Sequence, residues 1–117
     1  MKLTVVIVNY NVKYYLDQCL DALMQSIHWH RLEAEVYVVD NHSKDGSVEY
    51  LRKRFSDVHF IESPHNLGFA RANNIAIRKS EAEYVLLLNP DTVVGKDVIP
   101  EVLDFMDQHP DAGALGV

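Results

Sequence analysis

Two hydrophobic periods alternate along the chain. Four short apolar runs, rich in valine, isoleucine and leucine, are separated by longer segments that mix apolar and polar residues; the runs occupy residues 3–8, 35–39, 58–62 and 84–88. The first run is continuous and rich in β-branched residues, which is typical of a strand that is buried on both faces of a sheet, and the fourth run also indicates a buried strand. The chain is therefore predicted to contain four strands.

The segments between the runs follow the period of an α-helix. After the first run, apolar residues recur at spacings of three and four, at Leu16, Cys19, Leu20, Leu23, Met24 and Ile27. This spacing places them on one face of a helix. Asp45 is predicted to be the N-cap of a second, short helix that ends near Phe55. A third helix is predicted to open at residues 66–69 and to reach Lys79, and a fourth covers Val98–Gln108.

Strict alternation of strands and helices favours right-handed βαβ units and a parallel sheet. We therefore predict an α/β fold, a three-layer open sheet of mainly parallel strands with alternating helices. The 117 residues fit a single domain. In open sheets of this kind, ligands bind beyond the carboxyl ends of the strands, where the strand order reverses.

Polar residues follow each predicted strand. They are Asn9, Tyr10 and Asn11 after the first run, Asp40 and Asn41 after the second, Asn66 and Gly68 after the third, and Asn89 and Asp91 after the fourth. Because parallel strands end at one edge of the sheet, these residues predict a nucleotide site there.

The first turn excludes the commonest nucleotide sites. It has no glycine between residues 9 and 13, whereas a dinucleotide site needs glycines there so that the backbone can approach a pyrophosphate. The chain also lacks the GxxxxGK[ST] pattern of a P-loop. The turn offers Tyr10 instead, a ring that can stack on a base.

Asp91 has two interpretations that the residues alone leave open. Mg²⁺ or Mn²⁺ needs only one or two protein carboxylates when a diphosphate supplies further oxygens, so Asp91 is a candidate metal ligand. Aspartate also caps turns, and Asp91 stands directly before Thr92.

The composition limits the kinds of partner that we expect for the chain. The chain has a net charge of −6, whereas proteins that bind nucleic acids usually carry a basic surface. No apolar run is long enough to span a membrane. Cys19 is the only cysteine, which fits a reducing, cytoplasmic location, and we expect it to be a core residue. His28 and His30 are expected to be surface residues rather than zinc ligands.

Four strings in order resemble family 2 glycosyltransferases, in particular bacterial rhamnosyltransferase-like enzymes of cell-surface polysaccharide synthesis. The strings are VVIVNYN at residues 5–11, VVDNHSKDGS at 38–47, NLGFARANN at 66–74 and LLLNPDT at 86–92. The similarity extends over nearly the whole chain and corresponds to the nucleotide-sugar-binding part of these enzymes. It implies the A-type glycosyltransferase fold and a nucleotide-diphosphate sugar donor.

The resemblance also implies roles for individual residues. Val8 and Tyr10 would wall the base pocket, and Asp40 and Asn41 would hydrogen-bond the base or the ribose. Many relatives carry a second acid in place of Asn41. The nucleotide-binding set further includes Asn66, Gly68 and Asn74.

Residues 89–91 match the Asp-x-Asp motif of the family, except that Asn89 replaces the first acid. The resemblance then assigns Asp91 to a divalent metal, Mg²⁺ or Mn²⁺, which bridges the donor diphosphate. Asn89 would orient the ribose or ligate the metal weakly.

Members of the family continue into an acceptor-binding half that supplies the catalytic base for an inverting displacement. Here residues 111–117 look like the start of a further strand, so we expect a truncated chain whose base lies beyond Val117. The full enzyme would transfer sugar to a saccharide or lipid-linked acceptor in the cytoplasm, at the inner face of the membrane.

Two expectations follow for the chain itself. It should bind the donor and the metal without transferring sugar. Its exposed sheet edge and apolar face should cause self-association. The alternative interpretation is a non-catalytic nucleotide- or carbohydrate-binding module that uses the same edge. A sugar-nucleotide pyrophosphorylase would need a loop rich in glycine and arginine after the first strand, which residues 9–11 do not provide.

Overall fold

The computed structural model describes residues 1–116 and confirms the predicted alternation of strands and helices. In chain order the elements are β1 (Leu3–Asn9), α1 (Lys13–His30), β2 (Ala34–Asp40), α2 (Ser47–Arg54), β3 (His59–Glu62), α3 (Phe69–Ile77), β4 (Tyr84–Leu88) and α4 (Val98–Gln108). The four strands form one parallel sheet in the order β3-β2-β1-β4. The predicted fold class is therefore confirmed.

The strand register brings the polar strand ends together. Asn9 of β1 lies opposite Asp40 of β2, and Asp40 in turn lies opposite Glu62 of β3. On the other side of β1, Ile7 lies opposite Leu88, the last residue of β4. We call the C-terminal ends of the four strands the carboxyl edge. It is marked by the last residue of each strand, namely Asn9, Asp40, Glu62 and Leu88.

Helices cover the two faces of the sheet unequally. On one face, α1, α2 and α4 pack apolar side chains against the strands, with Leu16, Leu51 and Leu103 as examples. On the other face, α3 packs Ala72 and Ala76 against β1 and β2. All seven residues of β1 are buried, so β1 is the centre of the core.

The prediction that β4 is a buried strand was wrong for one of its two faces. β4 is an edge strand whose Val85 and Leu87 side chains are 41% and 48% exposed, while Leu86 and Leu88 pack against the core. Successive side chains of a strand point to opposite faces, and α3 lies over β1 and β2 rather than over β4. One face of β4 is therefore open among the described residues.

Residues 111–116 form a turn and loop, so the strand expected there is absent from the described residues, and Val117 lies outside them. Helix α3 begins at Phe69 rather than at the predicted Asn66, because residues 66–68 form a separate loop.

The prediction that Asp45 is the N-cap of α2 was wrong by one position. The N-cap is Gly46, with a φ of 75°. Asp45 nevertheless binds the first turns of two helices, because its carboxylate accepts hydrogen bonds from the backbone N–H of Lys13 and of Ser47, each at 3.0 Å, and from the Ser47 hydroxyl. One side chain therefore joins the N-termini of α1 and α2.

This arrangement predicts a pH-dependent contribution to stability. Burial acts to raise the pKa of Asp45, but hydrogen bonds from Ser47 and from backbone N–H groups outweigh it and lower the pKa below its ordinary value. A depressed folded-state pKa stabilises the fold above the unfolded-state pKa of about 4, and this stabilisation is lost as the pH falls through the folded value. We expect Asp45→Asn to lower the free energy of unfolding in urea at pH 7, with the deficit shrinking as the pH falls below about 4.

The control is Glu81→Gln, which neutralises an exposed acid on the surface. It should leave the pH profile of unfolding close to that of the wild type. A deficit for Asp45→Asn that stays constant from pH 7 to pH 3 would contradict the assignment.

Candidate functional site

The loops that follow β1 and β2 interlock at the carboxyl edge. The Ser43 hydroxyl accepts hydrogen bonds from the Asn11 backbone N–H (2.9 Å) and from the Asn9 side-chain amide (3.3 Å). The Asn11 side-chain oxygen accepts a hydrogen bond from the Lys44 backbone N–H at 2.8 Å. We call residues 9–12 and 40–46 the loop pair. Sequence reasoning did not single out Ser43, because a serine in a turn carries no pattern that names its partner.

Two residues of the loop pair have backbone angles that are uncommon for residues with side chains. Asn11 has a φ of 54° and His42 a φ of 67°. Asparagine and histidine are both found in this left-handed region more often than most residues with side chains, although it is uncommon for either of them. Such conformations persist only where surrounding contacts fix them, and they concentrate at functional sites.

Asp40 is held from both sides by this frame. One carboxylate oxygen accepts a hydrogen bond from the Asn9 amide at 2.8 Å, and the other accepts one from the Ser43 backbone N–H at 2.9 Å. The residue is only 3% exposed. A carboxylate has about four acceptor positions, so Asp40 keeps capacity for a ligand N–H or O–H.

Asn9 adds a second acceptor beside Asp40. Its side-chain oxygen is buried and has no hydrogen-bond partner among the described residues. Buried acceptors are nearly always paired with protein or water, since leaving one unpaired costs free energy. The end of β1 therefore has an unused buried acceptor next to the Asp40 carboxylate.

Asn41 connects β2 to the loop before α3. Its side-chain oxygen accepts a hydrogen bond from the Leu67 N–H at 3.2 Å, and its amide donates to the Gly68 carbonyl at 3.1 Å. Its backbone N–H donates to the Asn9 carbonyl at 2.8 Å, and the residue is 3% exposed. Asn41 therefore fixes the position of the β3–α3 loop relative to β1.

The β3–α3 loop is further shaped by Asn66 and Gly68. The Asn66 side chain accepts a hydrogen bond from the Gly68 N–H at 2.8 Å. Gly68 has a φ of 80° and a ψ of −180°, a backbone conformation that favours glycine. Both residues are exposed. Asn74 is exposed one turn into α3, whereas its neighbour Asn73 is buried and donates to the Phe69 carbonyl at 3.1 Å.

The two residues expected to wall a base pocket differ in exposure. Val8 is buried and packs with the α3 face of the sheet. Tyr10 directly follows β1 and is 50% exposed, so its ring is accessible at the carboxyl edge. An exposed aromatic ring can stack on a planar ligand.

The turn after β4 carries the remaining candidates. Asn89 and Asp91 are both exposed, and the Thr92 N–H donates to the Asn89 carbonyl at 3.1 Å. The Asp91 carboxylate accepts no hydrogen bond from any side chain or backbone group in residues 1–116, so turn capping by Asp91 has no support in the structure. The Cys19 thiol lies under this turn and donates to the Asn89 carbonyl at 3.8 Å.

Cys19 is a core residue, as predicted. Burial raises the pKa of its thiol to about 12, and the negative charge of Asp91 adds to the shift. The thiol is therefore protonated at neutral pH, and Asp91 is close enough to be felt electrostatically.

Within residues 1–116, no three histidine, cysteine, aspartate or glutamate side chains come together in a group suited to a metal ion. His30 instead pairs with Asp97 at 2.9 Å, and His28 lies 4.0 Å from Asp57. A metal at Asp91 would therefore need most of its ligands from elsewhere, which fits a Mg²⁺ or Mn²⁺ ion that is held largely by phosphate oxygens and water.

The N-termini of α1 and α3 lie at the carboxyl edge. The N–H of Lys13, the first residue of α1, already donates to the Asp45 carboxylate, whereas the N-cap residue of α3, Gly68, makes no side-chain hydrogen bond to the first turn of that helix. The first turn of a helix carries partial positive charge, which favours anions. This feature offsets the net negative charge of the chain near the site.

Comparison with known sequences identifies a family. The model of glycosyl transferase family 2 matches residues 4–117. Poly(ribitol-phosphate) beta-N-acetylglucosaminyltransferase TarS of Staphylococcus aureus is 27% identical over 112 residues, which cover 93% of this chain and 19% of TarS. Poly(ribitol-phosphate) beta-glucosyltransferase of Bacillus spizizenii is 29% identical over 120 residues, covering 99% of this chain and 19% of that enzyme. The chain thus spans 19% of the length of these two relatives.

Solved structures share the fold. Residues 1–349 of TarS in complex with UDP-GlcNAc superpose with a TM-score of 0.80 at 26% identity, covering 100% of this chain and 37% of that one. A mannosyltransferase of Pyrobaculum calidifontis in complex with GDP-Man and Mn²⁺ gives a TM-score of 0.80 at 24% identity, covering 90% of this chain and 32% of that one, a likeness of fold alone. The expected nucleotide-binding half of the A-type fold is confirmed.

None of the helices in residues 1–116 has both the length and the apolar character of a membrane span. The four strings, the parallel sheet and the polar carboxyl edge agree with the family comparison, whose model covers nearly all of the sequence. The chain belongs to glycosyl transferase family 2.

Proposed function

We propose that this chain is the donor-binding part of a glycosyltransferase that uses a nucleotide-diphosphate sugar and a divalent metal ion to build a cell-surface polysaccharide. The observation that carries the proposal is the carboxyl edge, where two carboxylates lie at the ends of strands on either side of β1. Asp40 is held by two hydrogen bonds, and Asp91 is exposed and accepts no hydrogen bond within residues 1–116. The relatives support the substrate class, because TarS has been solved with UDP-GlcNAc. Family membership favours a transferase over a non-catalytic binding module.

The strand order orients the donor. Tyr10 and Val8 would contact the base, while Asp40 would accept a hydrogen bond from the base or ribose. Asn41 belongs to this end of the site, and its contacts with residues 67 and 68 place the loop there.

Three further residues complete the nucleotide-binding set. Asn66 and Gly68 would line the same end of the site from the β3–α3 loop, with Asn74 one turn further along α3. Asn89 would meet the ribose or the diphosphate beside β4. The nucleoside then lies over β1 and β2, and the diphosphate lies toward β4.

The residues after β4 fit a divalent ion that is held mainly by the donor. Asp91 would bind Mg²⁺ or Mn²⁺ through its exposed carboxylate, with the Asn89 amide oxygen as a weaker partner. A bound ion of this kind supplies Lewis-acid stabilisation of negative charge on the leaving diphosphate. The Mn²⁺ in the mannosyltransferase complex supports the use of a divalent metal in this fold.

The proposed reaction is an inverting displacement. An acceptor hydroxyl oxygen bonds to the anomeric carbon as the bond from that carbon to the diphosphate breaks, and the bonding electrons leave with the diphosphate. The hydroxyl proton goes to a general base, which we place beyond Val117 and so outside the described residues. The acceptor is a saccharide or a lipid-linked saccharide, at the cytoplasmic face of the membrane.

The metal assignment predicts a metal-dependent loss of affinity. Asp91→Asn removes a negatively charged oxygen ligand but keeps the size of the side chain. We expect UDP to bind at least ten-fold more weakly in the presence of Mn²⁺, which corresponds to about 1.4 kcal/mol. Isothermal titration calorimetry measures this, and in EDTA the two proteins should bind UDP equally.

Asp104→Asn is the matched control, because Asp104 is an exposed carboxylate on α4. Its UDP affinity in Mn²⁺ should equal that of the wild type. If Asp91→Asn binds UDP as tightly as the wild type in Mn²⁺, the assignment of Asp91 to the metal is incorrect.

We further propose that the chain self-associates through β4. Among residues 1–116, β4 pairs only with β1, so its outer backbone groups pair with no other described strand, and Val85 and Leu87 add exposed apolar surface. Free strand edges are templates for pairing with another chain. A second copy can satisfy both the edge and the apolar surface.

Multi-angle light scattering after size exclusion tests this proposal. The wild type should elute as a dimer or larger species, and Leu87→Lys should shift it toward the monomer, because a charge would be buried at the contact. Tyr15→Lys, at an exposed ring on α1, should leave the assembly unchanged. A strictly monomeric wild type at the concentrations of structural work rules out the proposal.

A further inference from the structure

A second aromatic ring is exposed at the carboxyl edge. Phe69 is the first residue of α3 and is 57% exposed. The family strings include this residue, but neither the base pocket nor the metal site described above uses it. A large apolar ring that is open to water at the start of a helix lacks a structural explanation within residues 1–116.

The phase of α3 places Phe69 on the side of the helix that faces the sheet. Ala72, Asn73 and Ala76 follow it at spacings of three, four and seven residues, and all three are buried. Residues at these spacings share one face of a helix. Ala72 already packs beside Val8 near the end of β1. Phe69, one turn earlier, therefore lies beyond the strand ends.

Hydrogen bonds fix the backbone on both sides of this ring. Before it, the Gly68 carbonyl accepts a hydrogen bond from Asn41. After it, the Asn73 amide donates to the Phe69 carbonyl. Asn41 is in turn bonded to the Asn9 carbonyl, directly before Tyr10. The backbone segments that carry the two exposed rings, Phe69 and Tyr10, are thus connected by hydrogen bonds through Asn41.

The strand order assigns Phe69 to the nucleoside end of the site. Its loop is attached to β2, whereas Asp91 follows β4, and β1 lies between them. We propose that Phe69 contacts the planar base of the donor nucleotide as a second aromatic residue beside Tyr10. This inference rests on the proposed function. Aromatic rings bind every base through its π-face, so the contact contributes affinity without selecting one base.

Calorimetry with three probes separates the base from the phosphates. UDP, GDP and inorganic pyrophosphate are each titrated in the presence of Mn²⁺ into the wild type, Phe69→Ala and Phe69→Tyr. We expect Phe69→Ala to weaken UDP and GDP by about ten-fold, within the range that base–aromatic stacking contributes. Pyrophosphate, which has no base, should bind all three proteins equally. Phe69→Tyr keeps a ring and should bind as the wild type does.

Two controls test whether Phe69→Ala changes affinity through a general loss of aromatic surface or through unfolding. Tyr14→Ala removes a ring that is 73% exposed on α1 and should not change the affinity for any probe. Because Phe69 is exposed, Phe69→Ala should unfold thermally at the temperature of the wild type.

The outcomes separate this inference from the proposed function. If the wild type binds UDP or GDP and Phe69→Ala binds them equally well, the inference is overturned and the proposed function stands. If Phe69→Ala weakens pyrophosphate as much as UDP, the ring supports the loop rather than the base, which also overturns it. A wild type that binds none of the three probes contradicts the proposed function itself.

Discussion

The hydrogen bonds between the ends of β1 and β2 are the interaction on which the site depends. Loops that follow parallel strands carry backbone groups that no ladder satisfies, and each needs another partner. Here short polar side chains supply those partners, since Ser43 bonds the backbone of Asn11 and the side chain of Asn9, and Asn41 bonds residues 67 and 68. The result is a fixed frame in which Asp40 is buried and held by two donors.

This frame divides the carboxyl edge into two regions of different character. On the side of β2, polar atoms are braced and two aromatic rings are exposed, which suits the recognition of a planar base. On the side of β4, Asn89 and Asp91 are exposed, and the Asp91 carboxylate has no hydrogen bond within residues 1–116. These residues suit a charged ligand that binds together with a metal ion. In the proposed function, the N-terminus of α3 and a divalent cation would supply the local positive charge that an acidic chain needs in order to bind a diphosphate at this edge.

The hydrophobic periods predicted the order of elements and the parallel sheet, because burial on both faces leaves a strong signal in a strand. They did not distinguish the edge strand β4 from the central strand β1, since apolar residues fill both and only the path of α3 decides which face is covered. The polar strand ends were also predictable, because a parallel sheet brings them to one edge. The roles of Ser43 and Asn41 were not, because a hydrogen bond between residues distant in sequence depends on the packed loops. Asp45 shows the same limit, as it binds α1 as well as α2.

The central claim is that one braced edge of the sheet receives the whole nucleotide. A backbone amide NMR titration of the chain with UDP and Mg²⁺ tests it most directly. We expect chemical shifts to change in the loop pair, in residues 66–69 and in the turn at residues 89–91. Lys2, Glu33 and Glu83 lie at the opposite ends of the strands, and their amides should not move. Shifts concentrated at those three residues, with the loop pair unchanged, would contradict the account.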